Sequence, residues 1–491
     1  MKQFLELFRK PIEEFTTHLL DEDNETILFS GIYGIGKTTF IKHFFNTETQ
    51  SEILKGEKFR VFYLTPVNYS ISSNEDIFNY LKADIILELL SDPEFKVDDD
   101  YSKKDTLPFY VKNNIDSLFD LSRDTLPKIE KKTLGFSKKL IELFNGYSKY
   151  HKSINSANED ILQKFSLDII QKDGSIYEFN SVSEIITNLM YKLKQTYNTK
   201  TILIIDDLDR IDPSHIFRLF NVFASHFDYQ SSDNKFGFDK IMFVCDIDNI
   251  RKIYHNIYGS NIDFNGYIDK FYSKNIFHFD IRSSLVGMIN EVLRSINYSD
   301  RPDTDNYIRG KMIEGKQLMY TLQELIIQGK LNLRSFFKFY EKAVKYTSDD
   351  IHLLKSSNKI VEFPGILQIR LLIEMYDDPE SLIIALDYCR KNIARNSDLE
   401  NPDLLSHIIY IVDVHQNKLN TGGSNYTFKD PDSNLILSYQ LKNFDAYTYF
   451  AQDIKFIPAN DQKAENIYEY KNLLYFQILL IKQLRKIGYI K

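Results

Sequence analysis

Two short stretches of the chain carry residue types that suit nucleotide chemistry. The first, GIYGIGKT at 31–38, has the form G-x-x-x-x-G-K-[ST] of a phosphate-binding loop. Gly31 and Gly36 are expected to allow backbone conformations that other residues resist. Lys37 would then reach the β- and γ-phosphates, and the Thr38 hydroxyl would bind Mg²⁺. The alternative is an ordinary glycine-rich turn. The predicted nucleotide-binding residues are Gly31, Gly34, Gly36, Lys37, Thr38 and Thr39.

The second stretch, ILIIDDLDRIDP at 202–213, places four aspartates directly after an apolar run. A nucleotide-bound Mg²⁺ needs a protein carboxylate at the end of a neighbouring strand, and Asp206 is the first acid after the apolar residues. We therefore assign Asp206 to the metal, through water. Asp207 is predicted to orient or deprotonate the attacking water, or else only to cap a loop. Asp212 is the expected N-cap of a helix that begins at Pro213.

Alternating strands and helices must position these two stretches. Their regular alternation favours a parallel sheet with helices on both faces, and ligands bind at the carboxyl ends of such strands. Apolar runs predict strands at 26–31, 59–65, 200–206, 240–246 and 275–281, and helical spacing predicts helices at 1–20 and 38–45.

The predicted fold class is α/β, a P-loop NTPase core with added helical regions. Residues 1–90 and 196–282 are expected to form the core, with residues 91–195 as a large, mostly helical insertion between the two motifs. A helical lid is predicted for residues 283–356. Residues 357–491 are predicted to be an all-α sensor or partner-binding region.

Composition narrows the class of protein. The net charge of −8 argues against polyanion binding by bulk charge. Cys245 and Cys389 are far apart, as expected of core thiols in a reducing compartment. Without 18 uninterrupted apolar residues, we expect a cytoplasmic protein with no transmembrane helix. A basic patch is a candidate contact for nucleic acid or an anionic membrane surface, although it also fits a solvated helix face. It comprises Lys131, Lys132, Phe136, Lys138 and Lys139.

Together these motifs resemble the KAP family of P-loop NTPases, within the STAND-like group. Tyr33 stands where the family usually has tryptophan, and the family commonly carries a large insertion between its nucleotide motifs. Many members have transmembrane helices there, and their absence here indicates a soluble bacterial branch. The resemblance covers about residues 5–345 and rests on LFRKPIEEFTTHLL (7–20), GIYGIGKTTF, IIDDLDR (204–210), FVCDIDNI (243–250), GYIDKF (266–271) and NLRSFFKFY (332–340).

The resemblance implies two sensor residues. Asp246, at the end of the strand next to that of Asp206, would hydrogen-bond the γ-phosphate or the water. Alternatively it caps the next helix, although Asp248 is the better cap by position. Arg334, near the start of a lid helix capped by Asn332, would contact the γ-phosphate, or else is simply an exposed arginine.

The resemblance also gives Arg210 a role. It would act as an arginine finger on its own site or on a neighbouring protomer. The alternative is a salt bridge to Asp207 or Asp212. Asp209 has no assigned role beyond holding Arg210 in place.

The expected function is a Mg²⁺-dependent ATPase, with ATP favoured over GTP, that works as a conformational or assembly switch. The resemblance implies a homo-oligomer and a role in bacterial defence against phage, with a separate effector or sensor protein as partner. Frequent Lys, Asn, Ile, Tyr and Phe suggest an AT-rich bacterial genome. Two alternatives stay open: a DNA-associated motor ATPase, and a nucleotide-binding scaffold with negligible hydrolysis.

Overall fold

The structure is a computed structural model of the 491-residue chain. Two compact units make up the chain, Met1–Asp280 and Ile281–Lys491. The basic patch at 131–139 lies outside the described residues. The structure describes residues 2–54, 56–69, 77–91, 181–224, 234–313, 316–346, 352–356, 359–362, 364–393, 425–429, 436–443, 449–457, 472–486, 488 and 490.

Helices and strands alternate through the first unit. The strands are β1 (Thr26–Ser30), β2 (Phe59–Leu64), β3 (Lys200–Ile205), β4 (Lys240–Cys245) and β5 (Phe277–His278). The helices are α1 (Lys2–Leu20), α2 (Lys37–Phe44), α3 (Thr47–Ile53), α4 (Ile77–Ser91), α5 (Ser181–Tyr197), α6 (Pro213–Ala224), α7 (Ile247–Tyr258) and α8 (Phe264–Ile268).

The five strands form one parallel sheet in the order β2-β3-β4-β1-β5, which confirms the predicted α/β P-loop core. Because all strands run the same way, the residues that follow them meet at one edge of the sheet. Ser30 of β1 is in register with Cys245 of β4. We expected the strand of Asp206 to be a neighbour of β1. In the sheet, β4 lies between the two strands. The carboxylate of Asp206 must cross the width of a strand to meet the loop.

Aromatic side chains attach the first two helices to one face of this sheet. The ring of Phe15 on α1 lies 5.3 Å from that of Phe29 on β1 and 4.9 Å from that of Phe44 on α2. Successive strand residues point to opposite faces. Leu28 and Phe243 accordingly join a second buried cluster with side chains of α4, α5 and α6. Both faces are covered, as a parallel sheet requires.

Of the segment predicted as an insertion, the structure describes Ser91, the last residue of α4, and residues 181–195. There α5 buries Ile186, Leu189 and Met190 in the same cluster as the sheet. Residues 181–195 therefore belong to the packed core. The prediction that the insertion extends to residue 195 is wrong for these residues. The apolar face of α5 explains why it is a core helix, because its apolar side chains are buried only by packing against the sheet.

The second unit mixes helices with antiparallel strands. Its helices are α9 (Arg282–Ser295), α10 (Pro302–Ile313), α11 (Gln317–Ile327), α12 (Leu333–Phe337), α13 (Pro364–Tyr376), α14 (Pro379–Asn392) and α15 (Leu473–Lys486). Its strands are β6 (His352–Ser356), β7 (Lys359–Glu362), β8 (Asn425–Lys429), β9 (Ile436–Asn443) and β10 (Tyr449–Ile457).

The prediction of an all-α C-terminal region is wrong. Strands β8, β9 and β10 form an antiparallel sheet in the order β10-β9-β8, and β6 pairs with β7. Helices from both sides of residue 357 also pack together, since α10 contacts α13 and α11 contacts α14 and α15. The boundary predicted there does not separate compact units.

Across the described part of the chain, every helix is too short or too polar to cross a bilayer. Cys245 and Cys389 are free and buried, as expected of core thiols.

Candidate functional site

The loop from β1 to α2 depends on its glycines for two different reasons. Gly34 and Gly36 have φ angles of 76° and 98°, in the left-handed region that favours glycine. Gly36 is also the N-cap of α2. Gly31 does not share this conformation. A Cβ there would lie 2.9 Å from the carbonyl oxygen of Phe279, so the reason for glycine is close backbone packing and not the unusual φ predicted for it.

Lys37 folds back over this loop. Its side chain is buried, and Nζ donates to the carbonyl oxygens of Gly31 at 2.7 Å and Ile32 at 3.4 Å. Both acceptors are neutral carbonyl oxygens, so the oxygens of an anion could replace them as hydrogen-bond partners. Thr39, which was also predicted to bind the nucleotide, is exposed on the first turn of α2.

Asp206 lies at the same edge of the sheet, directly after β3. It is 1% exposed, and its N–H donates to the carbonyl oxygen of Leu64 at 2.9 Å. Its Oδ2 accepts the hydroxyl hydrogen of Thr38 at 2.7 Å, and its Oδ1 accepts the N–H of Asp207 at 2.8 Å. The structure thus brings together the two residues assigned to the metal, which are 168 positions apart in the chain.

Tyr63 is a member of this site that the sequence analysis missed. It precedes the last residue of β2, and its hydroxyl donates to Oδ2 of Asp206. Burial raises the pKa of Tyr63, and the charge of Asp206 raises it further, so the hydroxyl keeps its hydrogen. The sequence offered one indication of this role, an aromatic residue with a polar hydroxyl near the carboxyl end of a strand. That indication could be used only with the knowledge that β2 pairs with β3.

Asp207 is held by Arg210. Its backbone is left-handed, with φ 58° and ψ 34°, and its Oδ2 accepts a hydrogen bond from Nη1 of Arg210 at 3.0 Å. The Arg210 guanidinium also lies 6.0 Å from the ring centroid of Tyr33, which is 60% exposed on the phosphate loop. Of the two roles predicted for Arg210, the structure shows the salt bridge, and its partner is Asp207 rather than Asp212.

The two remaining acids of this stretch have separate contacts. Asp209 accepts a long hydrogen bond of 3.4 Å from Nδ2 of Asn249, so the expectation that it holds Arg210 is wrong. Burial raises its pKa, while the charge of Lys37 opposes the shift. Asp212 takes the predicted capping position, because its Oδ1 accepts the N–H of Ser214 at 2.8 Å at the start of α6.

Asp246 directly follows β4, the strand between β1 and β3, and is 8% exposed. It is the N-cap of α7, with Oδ1 accepting the N–H of Asp248 at 3.1 Å. Asp248, the cap favoured by position, instead pairs with Arg251 at 2.6 Å. The cap favoured by position was therefore two residues too late, because β4 ends at Cys245 and leaves Asp246 at the helix boundary. Asp246 lies at the correct edge of the sheet for the sensor role.

Arg334 belongs to the second unit. It lies exposed in the short helix α12, whose N-cap Asn332 accepts the N–H of Ser335 at 2.7 Å. The predicted cap is therefore present. The role of Arg334 as a second sensor stays a prediction.

The residues at the sheet edge fit Mg²⁺. The Thr38 hydroxyl uses its hydrogen on Asp206, which leaves its oxygen lone pairs for a cation. Mg²⁺ prefers oxygen ligands and commonly takes one or two from protein and the rest from phosphate and water. Within the described ranges, no cluster of three or more His, Cys, Asp or Glu side chains could enclose a metal alone. The site therefore suits a cation that arrives with a phosphate ligand.

Comparison with known protein families agrees with this geometry. A profile described as the KAP family P-loop domain matches residues 4–296, more than half of the chain. The match includes the phosphate loop, the strand of Asp206 and the strand of Asp246. No curated protein is similar enough to this chain to count as a match.

Proposed function

This chain belongs to the KAP family of P-loop NTPases, and we propose that it binds Mg²⁺ and ATP, hydrolyses the terminal phosphate and uses this cycle as a conformational switch. Family membership supports nucleotide binding and NTPase chemistry. The choice of ATP and the use of hydrolysis as a switch are our proposal.

The observation that carries the proposal is the hydrogen bond between Thr38 and Asp206. It joins the first residues of α2 to the end of β3 across an intervening strand, at 2.7 Å. A buried carboxylate is costly unless hydrogen-bonded or paired with a cation. Placing one against the hydroxyl of a phosphate loop supports a metal–nucleotide site better than a purely structural turn.

The roles of the residues follow from their chemistry. Bound Mg²⁺ would neutralise charge on the phosphate oxygens. Lys37, now hydrogen-bonded to loop carbonyls, would exchange these for phosphate oxygens. Asp207 would accept a proton as the water oxygen attacks the γ-phosphorus and the bond to the β-phosphate oxygen breaks. Asp246 would sense the γ-phosphate through the carboxylate that caps α7.

The ion pair between Arg210 and Asp207 supports slow basal turnover. The guanidinium of Arg210 occupies Oδ2 of Asp207 through a hydrogen bond of 3.0 Å, so this oxygen is not open to the attacking water while the pair is closed. Hydrolysis would therefore require Arg210 to leave Asp207. Once released, Arg210 is available as an arginine finger on a neighbouring protomer. The same observation favours, as a second candidate, a nucleotide-binding scaffold with negligible hydrolysis.

Phosphate release by the wild type and by Asp207→Asn tests the proposal. We expect the variant to bind ATP as the wild type does but to release phosphate about 100-fold more slowly or worse, as for loss of a general base. Asp248→Asn is the matched control, since Asp248 also pairs with an arginine three residues later. Equally slow release by wild type and Asp207→Asn would favour the scaffold.

We further propose that nucleotide state controls assembly into a homo-oligomer. Family membership supports a nucleotide-driven change, and the second unit offers folded surfaces for a partner. Size-exclusion runs with ADP and with a non-hydrolysable ATP analogue should differ. Identical elution would contradict control of assembly. Phosphate release stimulated by DNA would instead support a motor that acts on DNA.

A role in defence against phage, with a separate effector, is the biological part of the proposal. Its support is the family and the residue usage of the chain. Bacteria that carry the gene with its neighbours should resist phage, and Lys37→Ala should abolish this resistance. Equal plating of phage on both strains would contradict the proposal.

A further inference from the structure

The side chain of Tyr63 makes a contact to Asp206 that the motifs of the nucleotide site do not account for. Its hydroxyl donates to Oδ2, the same oxygen that accepts the hydroxyl hydrogen of Thr38. Tyr63 belongs to β2, a strand that contributes neither the phosphate loop nor an acidic motif. The contact therefore reaches Asp206 from the strand that lies on the other side of β3 from β4 and β1.

The donors divide unequally between the two oxygens of Asp206. A carboxylate has about four acceptor positions, two on each oxygen. Tyr63 and Thr38 donate to Oδ2, while the N–H of Asp207 donates to Oδ1. Among the hydrogen bonds of the described residues, one acceptor position on Oδ1 is therefore left. A metal-bound water is a donor of the kind that this position accepts.

The position of Tyr63 is determined by several contacts. In the β2–β3 ladder it is in register with Ile204, two residues before Asp206. The N–H of Asp206 continues this ladder by donating to Leu64 at 2.9 Å. The ammonium of Lys42, on α2, lies 5.2 Å from the centroid of the Tyr63 ring. The hydroxyl is thus placed by β2, β3 and α2 together.

We propose that Tyr63 is a positioning residue for Mg²⁺ binding. It holds Oδ2 of Asp206 against Thr38 and leaves Oδ1 to face the metal's water. The inference rests on the proposed function, because it needs a Mg²⁺–nucleotide complex at this edge. Groups that hydrogen-bond a metal-binding carboxylate fix its orientation, and their loss typically weakens metal affinity about 10- to 100-fold.

The test measures how strongly Mg²⁺ improves binding of a fluorescent ADP analogue. The coupling factor is the Kd in EDTA divided by the Kd in saturating Mg²⁺. For Tyr63→Phe we expect a coupling factor at least about tenfold below that of the wild type, with the Kd in EDTA unchanged. Tyr272→Phe is the matched control, because its hydroxyl also donates to an aspartate, Asp269, at 2.6 Å outside this site.

A double variant tests whether Tyr63 acts through Asp206. In the Asp206→Asn background, Tyr63→Phe should lower the coupling factor no further. A full wild-type coupling factor in Tyr63→Phe, or a higher one, would overturn the inference; the higher value would mean that the hydroxyl competes with the metal. If Tyr63→Phe does not melt cooperatively, Tyr63→Met, which also lacks the donor, replaces it with the same expectations. A wild type without any Mg²⁺ dependence would instead contradict the proposed function.

Discussion

Replacing Arg210 by glutamine should speed the basal release of phosphate. In the structure, the guanidinium of Arg210 holds Oδ2 of Asp207, the proposed base, at 3.0 Å. Glutamine keeps a polar side chain of similar reach but removes the charge. If the ion pair must open before Asp207 can accept a proton, its removal lowers the barrier by the free energy of the pair.

The size of the effect follows from the exposure of the two side chains. They are 46% and 26% exposed, and partly exposed ion pairs contribute about 0.2–1 kcal/mol. The contact of Arg210 with the Tyr33 ring, at 6.0 Å, lies at the outer limit of cation–π attraction and adds at most about 0.5 kcal/mol. A barrier lowered by about 1 kcal/mol corresponds to a rate about fivefold higher.

Steady-state phosphate release at low protein concentration, with saturating Mg²⁺ and ATP, measures the effect. Arg251→Gln is the matched control, because Arg251 makes the equivalent pair with Asp248 on α7. A fall of about 1,000-fold in Arg210→Gln would refute the reasoning, since that is the loss expected for an arginine finger. An unchanged rate would show that the ion pair does not limit turnover.

Substitutions at three further positions test the site and its supports. Thr38→Ser should keep the benefit of Mg²⁺ for ADP binding and Thr38→Ala should lose it, because only serine preserves the hydroxyl; equal behaviour of the two in Mg²⁺ titrations would contradict the assignment. Gly36→Ala should weaken nucleotide binding in calorimetry, because a side chain at φ 98° costs about 1–2 kcal/mol; wild-type affinity would show that the loop tolerates it. Asp212→Ala should lower the free energy of unfolding by about 1 kcal/mol at pH 7 in urea titrations, as loss of a helix cap does. Hydrogen bonds from Ser214 lower the Asp212 pKa below 3.8, so this difference is present above about pH 4 and should shrink as the pH falls through the lowered pKa; a constant difference down to pH 2 would contradict the cap.

Local patterns predicted two stretches whose ends the structure brings together, at Thr38 and Asp206. The phosphate loop and the run that ends at Asp206 are continuous motifs, so their ends meet wherever parallel strands form a sheet. The order of the strands was not accessible in the same way, because no local pattern places β4 between β1 and β3. The sequence analysis missed Tyr63 for the same reason. Its hydroxyl finds Asp206 only because β2 pairs with β3.

The C-terminal strands could have been found. In β9, Leu437 and Tyr439 are buried while Ser438 and Gln440 are partly exposed, the alternation typical of a strand with one covered face. The sequence allows Arg210 to pair with Asp207 or Asp212, and only side-chain geometry decides for Asp207.

The central claim is that Thr38 and Asp206 form one Mg²⁺–nucleotide site. Calorimetric titration of ADP, with and without Mg²⁺, into wild type and Asp206→Asn tests it most directly. The wild type should bind ADP more tightly with Mg²⁺, and the variant should bind equally in both conditions while keeping the wild-type affinity in EDTA. If Asp206→Asn keeps the full benefit of Mg²⁺, the carboxylate that the fold buries against Thr38 does not serve the metal, and Thr38 and Asp206 do not form one Mg²⁺–nucleotide site.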